Sequence, residues 1–146
     1  MMRLALEEAR QALRLGEVPI GAVVANGQKV VASGFNRLIQ SVDPTGHAEI
    51  IAIRKAAREV GNYRLGPLTL YVTVEPCMMC VGAILQARIG ALVYGAPEPK
   101  FGAVASLFNL QEIKTSHRFS IETGVMEKEC KKILKDFFQQ RRHLNV

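Results

Sequence analysis

The chain has 146 residues, 49% of them hydrophobic and 22% charged, an ordinary globular balance that suits one domain over residues 1–146. Its three cysteines are too few for a disulfide framework, and its longest apolar run, "CMMCVGAIL", falls far short of the ~18 residues a membrane helix needs. A net charge of +6, spread over both halves, favours a polyanionic partner without specifying one.

Met2, Leu6, Ala9 and Leu13 recur at helical spacing, and Gly16 is placed to end that first helix. The same stretch carries charges throughout and so lacks the apolar core of a secretion signal, and a soluble cytoplasmic protein is expected. "VPIGAVVA" and "QKVVASGF" read as strands joined at Asn26-Gly27, a strong hairpin signal. Residues 36–46 read as a loop rich in turn formers. From Ala48 a helix is marked by Ile50, Ile53, Ala57 and Val60 on one stripe. "LTLYVTV" reads as a strand, "CMMCVGAILQAR" as a helix and "ALVYGA" as another strand, followed by the loop "PEPKFGAVA". "HRFSIETG" predicts a short strand, and residues 125–143 a closing, visibly basic helix. Strands alternating with helices after one hairpin predict an α/β fold: a three-layer α/β/α sandwich on a mixed sheet of about five strands.

Cys77 and Cys80 follow a predicted strand, where a Cys-x-x-Cys pair fits a redox couple, half of a structural zinc site or part of a catalytic one. Cysteines at i and i+3 share a helical face, so both thiolates reach one ion, and His47 offers a third ligand at the start of another helix. Glu49 lies two residues after His47, and residues two apart in a regular helix point to opposite sides. Both face one site only if His47 stands where the backbone is not yet helical, which Pro44, Thr45 and Gly46 favour. For a fourth ligand, Cys130 sits on an apolar stripe with Met126, Ile133 and Phe137, His117 lies in a polar strand, and His143 is close to the last residue. Three ligands and a water are the pattern of catalytic zinc, which lowers the pKa of that water to about 7. Glu49 has the right chemistry to shuttle the proton. His-Ala-Glu alone arises in many amphipathic helices, but His-x-Glu followed by Pro-Cys-x-x-Cys is the established signature of zinc-dependent nucleobase deaminases.

The chain resembles the bacterial tRNA-specific adenosine deaminases, of the zinc cytidine/deoxycytidylate deaminase superfamily, in "GEVPIGAVV", "DPTGHAEI", "NYRL", "LYVTVEPCMMC", "RIGALVYGA", "GAVASL" and "DFFQQRR". That resemblance implies a cytidine-deaminase-like fold and hydrolytic deamination of adenosine to inosine at the wobble position of tRNA by a zinc-activated water. It implies one zinc per chain on His47, Cys77 and Cys80, Glu49 as the proton shuttle, the tRNA anticodon stem-loop as substrate, and a homodimer. Asn36 matches an asparagine that hydrogen-bonds the flipped-out adenine, and Lys100 lies in a loop near the RNA in relatives. Phe137, Phe138, Arg141 and Arg142 match a C-terminal helix that contacts the anticodon arm. Read from the residues alone, Asn36 is a loop cap, one of the two phenylalanines is core, and the arginines are a solvated helix end. The alternatives are a free-base or nucleoside deaminase of guanine or cytidine type, and a zinc-stabilised RNA-binding module, against which Glu49 argues. The chain departs from the family at Ser116, where asparagine is usual, and at Glu98, where aspartate is frequent.

Overall fold

Two strands that pair as a hairpin open a five-stranded sheet: β1 (Gly21–Asn26) and β2 (Lys29–Phe35), followed by β3 (Thr69–Val74), β4 (Ala91–Ala96) and β5 (Ser120–Thr123). The computed structural model describes residues 1–144, so the last two residues of the domain expected over 1–146 lie outside the described residues. The strand order is β2-β1-β3-β4-β5, antiparallel from β2 to β3 and parallel from β3 to β5. The helices are α1 (Met2–Arg14), α2 (Leu38–Ser41), α3 (Ala48–Val60), α4 (Met78–Ala87) and α5 (Glu127–Leu144). No helix among the described residues is long and apolar enough to cross a membrane.

Alternation along the strands sends successive side chains to opposite faces, and two cores result. On one face Ala22, Val24, Leu70, Val72, Leu92 and Tyr94 meet Ala52 and Ile53 of α3 and Val81 and Ile84 of α4. On the other, Val23, Ala25, Val93 and Ala96 meet Ala5 and Leu6 of α1 and Cys130 of α5. The α3/α4 layer, the mixed sheet and the α1/α5 layer are the predicted three-layer sandwich.

The faces of two helices differ from the predicted stripes. In α1, Leu13 is exposed while Ala5, Ala9 and Ala12 are fully buried. A Cβ on Gly21 would collide with the Ala5 carbonyl and the Ala9 amide, so the α1 backbone lies directly against the start of β1. Close approach selects the small residues at i, i+4 and i+7 and turns the larger leucine outward. In α3, Ile50 and Ile53 are buried as expected, but Val60, in the last turn, is exposed. The hairpin turn is also one residue from its predicted place. Asn26 pairs with Lys29, so Gly27 and Gln28 are the central residues, and Gly27 supplies the positive φ of +58°. The loop predicted over residues 36–46 contains α2, and the stretch before β5 holds a 3-10 turn, Leu110–Glu112.

The pairing registers bring several chain segments to one end of the sheet. There β1 begins (Gly21 opposite Phe35), β2 ends, and β3 and β4 end side by side (Val74 opposite Ala96). Cross-links knit that end: the Gly21 N–H donates to Thr73 Oγ1 at 3.2 Å, and the Asn36 N–H to the Ile20 carbonyl at 3.1 Å.

Candidate active site and metal centre

At this end of the sheet, where the pairing changes from antiparallel to parallel, two helices start. His47 is the N-cap of α3 with φ −73° and ψ 150°, and Cys77 is the N-cap of α4 with φ −77° and ψ 175°. Both residues have extended backbone, and this resolves the problem of two-residue spacing: His47 turns toward the side that Glu49, inside the first turn, also faces. Cys80 lies in the first turn of α4 and is fully buried. His47 Nδ1 is 3.5 Å from the sulfur of Cys77 and 3.5 Å from that of Cys80.

The donor set fits zinc. A tetrahedral ion with ordinary Zn–N and Zn–S bonds holds a nitrogen and a sulfur ligand about 3.5 Å apart. All three ligand atoms lie within 4.8 Å of one another, on one imidazole and two thiols. The positive ends of two helix dipoles face the cluster and favour thiolate. The hydrogen bond from Cys80 holds the Cys77 thiol down to about 4, and His47 assists. The same bond, together with burial, pushes the Cys80 thiol up. The bond to Cys77 raises His47 above its ordinary value. Glu49 is only 4% exposed, and burial pushes its carboxyl up, in spite of its own backbone N–H and of His47. A carboxyl raised in this direction is suited to both accepting and giving up a proton.

The cluster opens on a cavity of about 170 Å³ lined by Ile20, His47, Glu49, Val74, Glu75, Cys77, Glu98 and Phe101. A larger depression of about 340 Å³ lies beside His117 and β5, but it joins no metal-ligating cluster among the described residues. Cys130 is fully buried in the core on the opposite face of the sheet, under Gly95.

The wall made by residues 98–106 hangs on Glu75. This carboxylate is 3% exposed and accepts from the backbone N–H groups of Glu98 (3.2 Å), Val104 (3.0 Å), Ala105 (2.9 Å) and Ser106 (3.0 Å), and from the Ser106 hydroxyl. Burial pushes Glu75 up, but the donors of Ala105, Ser106 and Val104 outweigh it and hold the carboxyl below its ordinary value.

The remaining residues expected at the site are divided. Asn36 is buried, and its Oδ1 accepts the Ala48 N–H at 2.9 Å, so it caps α3 one residue after His47. That bond fixes the orientation of the amide and leaves Nδ2 as a donor beside the site. Lys100 is exposed on the loop that walls the cavity. Phe137, Phe138 and Arg141 lie elsewhere, in a groove of about 390 Å³ shared with Gly16, Glu17 and Val18 and with Leu38 and Ile39 of α2. Phe137 is buried and Phe138 exposed. Arg141 donates to the Gly16 carbonyl at 2.6 Å and covers the Phe137 ring, its guanidinium 5.0 Å from the centroid. Arg142 is exposed, with a single 3.4 Å bond back to the Phe138 carbonyl. Sequence reasoning missed Glu75 and Phe101. A glutamate ending an otherwise apolar strand was the one signal for the first, and nothing marked the second.

A family model described as MafB19-like deaminase matches residues 1–142. The chain is 49% identical over 144 residues to the tRNA-specific adenosine deaminase of Haemophilus influenzae, spanning 97% of this chain and 83% of that protein. Among solved structures it is similar to one from work on A-to-I editing at the wobble position of transfer RNA, with a TM-score of 0.87, 46% identity, and coverage of 91% of this chain and 97% of that one. It is less similar to the guanine deaminase of Bacillus subtilis, with a TM-score of 0.64 and 32% identity over 97% of this chain and 91% of that one.

Proposed function

The chain belongs to the tRNA-specific adenosine deaminases among the MafB19-like deaminases, and on that premise we propose how its residues convert adenosine to inosine at the wobble position of tRNA. The reaction breaks the C6–amine bond of adenine, forms a C6–oxygen bond from water and releases ammonia. The observation that carries the reading is the His47–Cys77–Cys80 cluster at tetrahedral spacing beside a buried Glu49. His47, Cys77 and Cys80 would hold one zinc ion per chain, and the ion would lower the pKa of a water to about 7, making it acidic enough to attack at neutral pH. Glu49 takes one proton from the attacking water and passes it to ring N1, and then carries that water's second proton, from the oxygen added at C6, to the leaving amine. Its burial favours the protonated form that this second transfer requires. Asn36, with Oδ1 committed to Ala48, offers Nδ2 to a ring nitrogen of the base. Ile20 and Val74 form an apolar wall of the small cavity, and Phe101 stands at its rim.

Unpaired bases of an anticodon loop lower the cost of turning the target base outward. Lys100, Phe138 and Arg142 are exposed and free to meet RNA, while Phe137 and Arg141 brace the helix that carries two of them. The protein works in the cytoplasm, where its tRNA substrate is found, and as a homodimer, the latter supported by the exposure of Val42 (89%) and Met78 (66%), large apolar side chains on the segments that flank the two proposed metal-ligating turns.

Purified protein should contain one zinc per chain and deaminate an anticodon stem-loop in preference to free adenosine or guanine. Glu49→Ala should lower kcat on the stem-loop by about 10²–10⁴ or more, with zinc content and RNA affinity kept. Substantial turnover in that variant would assign the proton transfers to another group.

A further inference from the structure

Phe101 is a large aromatic residue that folding does not bury: it is 68% exposed, yet it lines the cavity with His47, Glu49 and Cys77. An isolated exposed phenylalanine is ordinary. One at the rim of a reaction cavity on an immobilised loop is different. The loop is tied at each side of Phe101: the Gly102 N–H donates to the Glu98 carbonyl at 2.9 Å, the Ala103 N–H to the Pro76 carbonyl at 2.8 Å, and the Leu107 N–H to the Gly102 carbonyl at 2.9 Å. A Cβ on Gly102 would run into the Glu75 carboxylate, so the residue after Phe101 sits flush on that anchor. The ring is therefore presented in place before any ligand arrives, and little ordering remains to be done on binding. Lys100 stands exposed at the preceding position. An aromatic face beside a cation is the combination by which proteins hold single-stranded nucleic acid: the base stacks and the cation meets the phosphate.

We propose that Phe101 is a specificity-determining residue that stacks an unpaired base of the anticodon loop at the mouth of the pocket, with Lys100 on the adjoining phosphate. The proposal rests on the reading of the site as an RNA adenosine deaminase. It assigns a task to a side chain outside the metal centre and outside the basic helix α5. The base it holds is a neighbour of the target or the target itself before it enters the cavity, and the experiment separates the two.

The test compares wild type with Phe101→Ala, Phe101→Leu and Phe101→Tyr on an anticodon stem-loop, and on stem-loops carrying an abasic nucleotide at each loop position beside the target. Phe101→Ala should lower kcat/KM about 5- to 150-fold, the cost of removing one stacked aromatic ring. Phe101→Tyr should keep the activity and Phe101→Leu should lose it, because the leucine retains apolar bulk without a π face. Zinc content and the midpoint of urea unfolding should not move, since the ring is solvent-exposed. At one abasic position wild type and Phe101→Ala should become equal, which identifies the stacked nucleotide. If no position does so, the stacked base is the target. Unchanged kcat/KM in Phe101→Ala, full activity in Phe101→Leu, or a change of oligomeric mass in Phe101→Ala would each overturn the proposal. The last outcome would make the ring a contact between copies. A wild-type protein inactive on the stem-loop but active on free adenosine or guanine would instead overturn the reading beneath it.

Discussion

A carboxylate at 3% exposure persists at Glu75 because five donors converge on it. Such bonds to a charged acceptor are worth about 1.5–3 kcal/mol each, and a buried donor left unmet costs about 1–3 kcal/mol. Glu75→Gln replaces one acceptor oxygen by an amide that points N–H at N–H. A loss of about 1–3 kcal/mol per orphaned donor is expected from the urea midpoint. Zinc content should be kept, since His47, Cys77 and Cys80 are held by the starts of α3 and α4, while KM for RNA should rise as the wall of the cavity loosens. The pH dependence has a definite sign. The folded Glu75 carboxyl lies below its ordinary value of 4.5, so its contribution is complete above that value and is lost as the pH falls through the lower folded one. The stability gap between wild type and Glu75→Gln should accordingly close in acid, in unfolding curves taken from pH 7 downward. A gap that stayed constant would show that the charge on Glu75 is not what holds the loop.

The closing helix α5 carries two arginines whose sequence suggests equivalence, and the structure separates them. Arg141 reaches back to the Gly16 carbonyl and covers Phe137, tying the end of α5 to the turn that leads into β1. Arg142 has only its weak bond to the preceding turn. Arg142→Ala should leave the unfolding midpoint unchanged and reduce the slope of log affinity for RNA against log salt by about 1. Arg141→Ala should cost about 0.5–1.5 kcal/mol of stability as well. Anisotropy titrations at several salt concentrations, beside urea melts, distinguish them. Elements were legible in the sequence wherever periodicity and local turn chemistry decide them. The five strands, the four longer helices and the N-cap position of His47 are of that kind. The face of α1 was not, because its contact with Gly21 is between backbones and favours Ala5, Ala9 and Ala12 over the larger residues that a hydrophobicity pattern follows. Nor was α2, four residues long and too short for any period.

For the whole molecule, the clustering of His47, Cys77 and Cys80 could be read in advance because each belongs to a short motif at the start of a helix. Glu75 and Phe101 could not, since their partners are brought to them by the parallel pairing of β3 and β4 and by a loop whose path no local rule sets. The same long-range order gives the molecule a direction. The His47–Cys77–Cys80 cluster, Glu49 and the loop anchored by Glu75 gather where β1 begins and where β2, β3 and β4 end. The opposite end of β1 carries the turn at Gly27 and Gln28, where residues 26–30 are exposed and a Cβ on Gly27 would touch nothing. Lengthening a surface loop is inexpensive, about 0.6 kcal/mol for each doubling, and exposed tips of this kind accept insertions. A flexible glycine-serine segment or a fluorophore attachment sequence placed between Gly27 and Gln28 should therefore leave zinc content, kcat/KM on the stem-loop and the unfolding midpoint unchanged. Loss of activity there would mean that strain at the far end of β1 reaches the site. Otherwise the hairpin tip is a ready-made handle by which the protein can be tethered to a surface or labelled while its working end stays clear for RNA.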